Sequence, residues 1–332
     1  MKPGPARVLA VLRRAEGRAC SGASLSSEQG VSRAQIWKDV ESLRAQGYAI
    51  EAAPGDGYRL VAIPDLLLPE ALCAGLETRW LARDLRWLET TDSTNREALE
   101  LARAGAAHGT TVVAEAQTAG RGRLGRAFFS PPRLNLYSSS VLRPRLTTAE
   151  APPWILASAV AVAEAVEQTV GDAGAVEIKW PNDVLLGGLK TSGILMELSA
   201  EATRVVFLVL GIGVNLNVDR RDFPEEFRAT ATSLASHCGH KIDRIAFAHR
   251  LYNALERTLD TCAERGFEAL RPRFEARFRM RGRPVTVVEL DGTRQRGVAE
   301  GVAADGALLL RSDDGALVRI VAGDVTLAKE DT

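Results

Sequence analysis

Three arginines interleaved with glycine are the residues of this chain best suited to chemistry: Gln117-Thr118-Ala119-Gly120-Arg121-Gly122-Arg123-Leu124-Gly125-Arg126. Gly120, Gly122 and Gly125 satisfy the GxGxxG spacing of dinucleotide-binding turns. The residues that follow, Phe128-Phe129-Ser130-Pro131-Pro132, cannot open the helix whose N-terminus would hold a pyrophosphate. A Walker A loop is excluded as well, because no Gly-Lys-Ser/Thr follows. The spacing instead describes a loop whose glycines free the backbone and whose arginines fold forked, permanently charged donors around an anion. An acyl phosphate or acyl-adenylate is a suitable guest. Either is anionic and easily hydrolysed, so a loop ordered over it neutralises charge and excludes water. The plainer alternative is a basic surface loop with no ligand.

Four other strings carry candidate groups. Lys179-Trp180-Pro181-Asn182-Asp183 follows a strand at 176–178, and its proline turns the chain so that Asn182 and Asp183 sit at a strand end, where α/β sites gather polar groups. Lys179 could serve a phosphate, and Asp183 could hold Mg²⁺ or organise the cations around that phosphate. Alone, the string is an ordinary turn. Lys190-Thr191-Ser192-Gly193 precedes a buried strand, and Lys190 is either a fixed cation beside a carboxylate substrate or a solvated loop lysine. Thr91-Asp92-Ser93-Thr94-Asn95 precedes a helical run and can cap it, line a polar ligand, or do both. Gly211-Ile212-Gly213-Val214-Asn215 ends a strand with small residues, which predicts close approach of the backbone to a ligand.

The elements that position these strings fall into three segments. In residues 2–63, Val8, Leu9, Val11, Leu12 and Ala15 form a helical stripe ended by Gly17. Two short helices then meet at Gly30, the second capped by Ser32, with Ile36, Val40 and Leu43 on its inner face and Ala34, Gln35, Lys38 and Glu41 outward. This is a helix-turn-helix pattern. Strands at 48–51 and 58–61 around Pro54-Gly55-Asp56-Gly57 would add a wing. Between Lys2 and Arg44 there are eight basic and four acidic residues, a local excess of the kind phosphate contacts need. Ser32, Arg33, Gln35 and Lys38 are the candidate DNA contacts; a domain used only for protein contacts is the alternative.

Pro64 and Pro69 bracket a leucine-rich connector. Residues 76–280 alternate strands (111–116, 136–142, 176–180, 193–198, 205–212) with long helices at 154–170 and 244–264, as a mixed α/β domain does. From 283 onward the period shortens: strands at 285–290, 297–302, 307–311 and 317–321 are punctuated by Asp291-Gly292, Asp305-Gly306 and Asp314-Gly315, which predicts a small antiparallel β-barrel. The expected boundaries are 1–63, 64–280 and 281–332.

Composition excludes several classes. Lys+Arg and Asp+Glu balance at 42 each, so the chain as a whole is no polyanion binder and any nucleic-acid contact must be local. Cys20, Cys73, Cys238 and Cys262 lack CxxC spacing, which speaks against a zinc site or a disulfide framework. His237 and His240 fall in a probable-loop composition and make a poor ligand pair. No stretch approaches the ~20 apolar residues of a membrane span, and the N-terminal apolar run is too short for a signal peptide, so a cytoplasmic protein with no membrane contact is expected.

Taken together and in this order, Asp92–Asn95, Gln117 with the arginine–glycine loop, Lys179–Asp183, Lys190 with Gly193, and Gly213-Val214-Asn215 resemble the bifunctional biotin–protein ligases that double as biotin-operon repressors. The resemblance covers nearly the whole chain. It implies an α+β multi-domain protein: a winged helix-turn-helix, a central class II synthetase-like ligase domain and a C-terminal SH3-like β-barrel. It implies that biotin and Mg-ATP give biotinyl-5′-AMP and pyrophosphate, after which the adenylate acylates a lysine of a biotin carboxyl carrier protein domain. Ser93, Thr94, Asn95 and Gln117 would then recognise biotin. Gly120, Arg121, Gly122 and Arg123 would close over carboxylate and phosphate, and Lys179, Gly193 and Asn215 would complete the substrate site. Lys190, Arg123 and Asp183 would be the catalytic groups, with no covalent nucleophile and no resident protein-bound metal. Operator DNA and a homodimer are further implied partners. Leu124 stands where some relatives carry arginine, Phe128 where some carry tryptophan, and Trp37 and Asp39 depart from the more basic recognition helices. Lipoate–protein ligase, with the same central fold, and a biotin-sensing repressor with a dead ligase core are the rival readings.

Overall fold

The computed structural model describes residues 3–45, 47–53 and 57–327, and the chain divides into two compact units, Met1–Ala71 and Leu72–Thr332. In the first unit, helices α1 (Pro3–Arg14), α2 (Gly22–Gln29) and α3 (Arg33–Ala45) bury Val8, Leu9 and Leu12, then Leu25, then Ile36, Val40 and Leu43. On α1 and α3 the spacing of three or four residues gives each helix one apolar stripe toward a shared core. Ser21 and Ser32 accept hydrogen bonds from Ser24 N and Gln35 N at 3.0 and 3.2 Å, satisfying amides that each helix start leaves without an internal partner. Gly30 ends α2 in the left-handed region, as the turn required.

Strands β1 (Ala49–Ala53) and β2 (Gly57–Ala62) form the antiparallel hairpin after α3; the expected Pro54-Gly55-Asp56 turn at its tip lies outside the described residues, as does Lys2. Tyr58 and Cys20 exchange backbone hydrogen bonds of 2.8 and 2.9 Å, which adds a bridge from the α1–α2 connection to the hairpin. At Gly57, φ is +95° and a Cβ would lie 2.1 Å from the Cys20 carbonyl oxygen, so only glycine allows the bridge. The connector leucines Leu66, Leu67 and Leu68 are buried rather than solvated.

The second unit is built on a seven-stranded mixed sheet in the order β3-β4-β5-β9-β8-β7-β6. Its strands are β3 (Leu85–Leu88), β4 (Thr111–Ala114), β5 (Leu136–Leu142), β6 (Val176–Lys179), β7 (Asp183–Leu186), β8 (Leu189–Glu201) and β9 (Arg204–Val214). Only β3 and β4 pair in parallel; the other neighbours are antiparallel. The helix Thr94–Arg103 lays Ala98 and Ala102 onto Val112, Val141, Phe207 and Val209, and this packing fixes where its N-terminal residues point. Side chains alternate across β5: Ser139 reaches that helix, while Ser138 on the other face accepts from Tyr252 Oη at 2.9 Å. The latter face is covered by helices Pro153–Val170 and Arg244–Arg265, which pack on each other.

One segment, Thr148–Val170, is long and apolar enough to cross a membrane by length and composition alone, and 72% of its most apolar 18 residues are buried inside the protein. A helix covered by protein on almost every side carries apolar residues all round, which is the same signature. Ser236 and Cys238, read as loop between His237 and His240, lie in a short helix, Leu234–Cys238, that ends at Gly239.

A second, five-stranded antiparallel sheet closes the chain in the order β13-β12-β11-β10-β14, from β10 (Pro284–Val288), β11 (Arg294–Val302), β12 (Leu308–Arg311), β13 (Leu317–Ile320) and β14 (Asp324–Leu327). Each Asp-Gly turn has its glycine at φ between +85° and +88° and its aspartate accepting from the amide two residues on. Trp180 Nε1 donates to Gly306 O at 2.9 Å, tying this sheet to the β6–β7 hairpin. Strands β3, β7 and β14 were not anticipated. Each has four residues, too short for a periodic pattern to show.

Candidate active site

A cavity of about 870 Å³ opens over the seven-stranded sheet, and the arginine–glycine loop, the Thr94–Arg103 helix start, the β6–β7 hairpin and the starts of β8 and β14 all line it. Of the residues singled out from sequence, Ser93, Thr94, Asn95, Gln117, Arg121, Gly122, Arg123, Lys179, Asp183, Lys190 and Gly193 are on its wall. Gly120 and Asn215 are not. Gly120 is the place where the loop crosses the segment after it: a Cβ there would meet Ser130 Oγ at 2.5 Å and Phe128 O at 2.6 Å. Asn215 is turned into the protein, accepting from Asn135 Nδ2 at 3.3 Å and donating to Thr232 O at 3.2 Å. The small residues of β9 are likewise explained by the chain itself. A Cβ at Gly211 would lie 1.9 Å from Asn95 Oδ1, and one at Gly213 would lie 2.6 Å from the Phe128 ring. Two side chains of the protein make these close approaches, and Gly211 and Gly213 also line the cavity.

The loop is a closed turn. Gly122 N donates to Arg126 O at 2.7 Å, Phe128 N to Gly120 O at 2.9 Å, and Leu124 sits in the left-handed region at φ +55°. Arg126 Nη2 reaches Asp324 Oδ2 at 2.6 Å, so the start of β14 anchors the loop. Arg123 Nη1 lies 3.4 Å from Asn182 Oδ1. Burial lowers the Arg123 pKa, with Asp324 and Asp183 pushing it back up, and a guanidinium stays charged under such a shift.

Lys190 is held from both sides of its backbone, its N donating to Thr230 O at 2.8 Å and its O accepting from Thr232 N at 2.9 Å. Its side chain lies over Gly193, where a Cβ would be 3.3 Å from Lys190 Cε. That contact gives the Lys-x-x-Gly spacing a reason. The ammonium stands 2.7 Å from Asp183 Oδ1 in an ion pair; Asp183 Oδ1 is buried and the contact is not aligned as a hydrogen bond. Lys190 is therefore not a solvated loop lysine. Asn182 is structural: its Nδ2 donates to Ile194 O at 2.7 Å and its own carbonyl accepts from Ile194 N at 2.9 Å.

On the opposite wall, Ser93 occupies the N-cap position of the helix, yet its side chain makes no capping bond. Asp92 Oδ1 instead accepts from Ser93 N at 2.6 Å. Gln117 Oε1 accepts from Thr94 N at 2.9 Å and Gln117 Nε2 donates to Ser130 Oγ at 2.9 Å, which orients the amide. Sequence reasoning missed the pair behind this wall, Arg244 and Glu115, joined at 2.9 Å with both side chains fully buried. Arg244 also donates to Asn135 O, and Trp87 Nε1 to Glu115. No motif flags a single glutamate and a single arginine 129 residues apart. Burial raises the Cys262 thiol to about 11 and shifts the Cys238 thiol in the same direction, so neither is a ready thiolate nucleophile. Among the described residues no group of three His, Cys, Asp or Glu is placed to hold a metal.

In the first unit, Arg33 and Lys38 project from α3, Ser32 is spent on its cap, and Gln35 Nε2 donates to Asp39 Oδ1 at 2.9 Å. Asp39 is buried, so the acidic departure in this helix is not on its outer face; Trp37, 54% exposed, is. Arg14 and Arg44 are less available to phosphate than the charge count implied. Arg14 pairs with Glu28 at 2.8 Å, and Arg44 pairs with Glu41 and donates to Ile50 O.

The central segment, residues 87–215, matches the biotin/lipoate A/B protein ligase family model; residues 6–59 match an HTH domain and residues 282–327 the biotin protein ligase C-terminal domain. Over 307 residues the chain is 37% identical to the bifunctional ligase/repressor BirA of Bacillus subtilis, covering 92% of this chain and 93% of that protein. The chain belongs to the bifunctional biotin ligase/repressor family. Its BirA relative in Escherichia coli is 32% identical over 324 residues, 97% of each chain. A biotin protein ligase from Aquifex aeolicus, solved in complex with biotin and ATP, superposes with a TM-score of 0.64 at 30% identity, covering 75% of this chain and all of that one. The family's helix-turn-helix and ligase segments thus fall on the α1–α3 unit and on the seven-stranded sheet carrying the cavity.

Proposed function

We propose that this cavity makes biotinyl-5′-AMP from biotin and ATP and passes biotin to a lysine of a biotin carboxyl carrier protein domain, and that the N-terminal unit binds operator DNA as a biotin-operon repressor. The observation that supports the ligase reading best is the convergence of Lys190, Asp183, Arg121 and Arg123 at one side of a cleft whose other side is the hydroxyl and amide wall of Ser93, Thr94 and Gln117. One side suits a carboxylate and a phosphate, the other a uncharged polar ring system.

In this reading a biotin carboxylate oxygen attacks the α-phosphorus of ATP, the bond to the bridging oxygen breaks, and pyrophosphate leaves. Lys190 and Arg123 face the negative charge that moves between carboxylate, α-phosphate and leaving group. Their contribution is electrostatic and involves no proton transfer. Gly120, Gly122 and Gly125 let Arg121 and Arg123 fold over the product, which keeps water from the mixed anhydride. The acceptor lysine's amine then attacks the acyl carbon and AMP departs; Asp183 faces that entry and holds Lys190 in place. Asp183 is a carboxylate on the cavity wall, the kind of group that would meet Mg²⁺ entering with ATP, since Mg²⁺ is commonly held by one or two carboxylates with substrate phosphates. When bound there with ATP, Mg²⁺ would withdraw charge from the phosphates.

Arg33 and Lys38 are the proposed phosphate or base contacts on the DNA, and Gln35, one N–H of which is held by Asp39, joins them through its second N–H and its Oε1. The remaining parts of the reading are a class II synthetase-like centre, an SH3-like barrel from 281 onward, boundaries after 63 and 280, a homodimer on palindromic DNA and a cytoplasmic location. Family membership and the pattern of strands and turns support them.

Because the family model covers biotin and lipoate enzymes alike, the discriminating assay is ATP–pyrophosphate exchange. Biotin is expected to support exchange and lipoate is not. Exchange with lipoate alone would move the chain to the rival activity, and biotin binding without exchange would point to a repressor with a dead ligase core.

A further inference from the structure

Behind the wall assigned to biotin runs an uninterrupted line of polar side chains that ends on a carboxylate. Gln117 Oε1 is 3.1 Å from Thr94 Oγ1, Thr94 Oγ1 is 2.8 Å from Ser139 Oγ, Ser139 Oγ is 2.6 Å from Asn95 Oδ1, and Asn95 Nδ2 is 2.8 Å from Glu197 Oε2. Sheet register accounts for the geometry. Ser139 on β5 is opposite Gly211 on β9, and Gly211 is opposite Leu195 on β8, two residues before Glu197 and on the same face. Asn95 lies across that row. Its amide occupies the space a side chain at Gly211 would take, with one end at Ser139 and the other at Glu197. Ser139, Thr94 and Asn95 are all at least 95% buried, so water does not compete for these bonds.

The carboxylate sets the direction of the whole line. An ionised Glu197 only accepts, so the Asn95 NH₂ must face it and the Asn95 carbonyl must face Ser139. A hydroxyl carries one proton, and Ser139's is thereby committed to Asn95 Oδ1. Were it not so committed, the Ser139 proton would go to Thr94 Oγ1, while the Thr94 proton is donated to Gln117 Oε1. Thr94 therefore turns a lone pair, not a proton, to the cleft. A cyclic urea binds to such a wall through its N–H groups.

We propose that Glu197 is a positioning residue for biotin: it touches no substrate, but it fixes the donor–acceptor sense of the wall formed by Thr94 and Gln117. The inference rests on the placement of the biotin ring against that wall. Replacing Glu197 by glutamine keeps the shape and removes the constraint, because a neutral amide offers Asn95 either a donor or an acceptor. Asn95 can then turn over and the proton order along the line can reverse.

The test is the full-length enzyme's affinity for biotin and for an N-methylbiotin, in which a methyl group replaces the hydrogen of one urea N–H, together with the KM for ATP. Glu197→Gln is expected to weaken biotin roughly tenfold, the size of a lost charge-assisted hydrogen bond. It should narrow the biotin/N-methylbiotin ratio and leave the ATP KM within about twofold. Ser139→Ala, which interrupts the line at its middle, should narrow the same ratio, and it decides the matter if Glu197→Gln does not fold. Equal weakening of both ligands, or unchanged biotin affinity, overturns the proposal, since a contact that merely fastens the helix to the sheet has no preference between them. Thr94→Val separates the two levels. If it leaves biotin affinity unchanged, the ring is not against Thr94 and the placement fails. If it weakens biotin while Glu197→Gln does not, the placement stands and the role of Glu197 fails.

Discussion

Lys190→Met is expected to slow biotinyl-adenylate formation by about 10²–10³-fold, the range seen when one preorganised charge-stabilising group is removed from a water-excluded site. Methionine keeps most of the length of the lysine stem over Gly193, so the contact at 3.3 Å from Cε is largely retained and the ammonium is what is lost. The loss is double. The reacting carboxylate and phosphate lose a cation, and Asp183 Oδ1, buried and 2.7 Å from Nζ, loses its counter-charge and stands as an uncompensated anion beside them. The Lys190→Met, Asp183→Asn double variant is therefore expected to be faster than Lys190→Met alone, an order opposite to additive damage. Rapid-quench measurement of adenylate formation in a single turnover separates this from carrier docking. A Lys190→Met rate within threefold of wild type would mean that the lysine serves only to pair Asp183.

The second large effect is on retention rather than formation. Arg123→Gly should release biotinyl-5′-AMP about 10²-fold faster, so that the free anhydride acylates lysines on bystander proteins. Two charge-assisted hydrogen bonds to phosphate or carboxylate, at about 1.5–3 kcal/mol each, are enough for that factor. Arg123 is better placed for the task than its neighbours. Its guanidinium is part-buried at the cavity wall near Asn182, whereas Arg126 is 64% exposed and already committed to Asp324. The check is dissociation of labelled adenylate from purified enzyme, with labelling of added serum albumin as the secondary readout. Retention as long as wild type would remove the loop's function as a lid, although its arginines could still bind ATP.

Much of this was readable in the sequence wherever the physics is local. The glycine that ends α2, the three Asp-Gly turns and the arginine–glycine loop depend on residues a few positions apart, and each turned up where the local rules place it. Long-range relations were not readable. Lys190 gave even odds between cation and solvated loop because its partner Asp183 arrives on a neighbouring strand across a bulge between Val184 and Leu185. Asn215, expected on the ligand, faces Asn135 and Thr232, and Gly211, on the cavity wall, also makes room for Asn95. A glycine records that something comes close without saying what. Glu197, Ser139 and Asp324 carried no signal at all, since only sheet register and the position of β14 bring them to the site.

The central claim is that one cavity forms the adenylate, keeps it, and delivers it without further ATP. The most direct measurement separates these steps. Enzyme is incubated with labelled biotin and Mg-ATP, freed of unbound small molecules by rapid gel filtration, and mixed with a biotin carboxyl carrier protein domain in the absence of ATP. The account predicts label co-eluting with the enzyme as an acid-releasable adenylate, close to one per chain, followed by its transfer to a single acceptor lysine. Label that leaves the enzyme on filtration, or that stays bound and never reaches the carrier until ATP is restored, would contradict it.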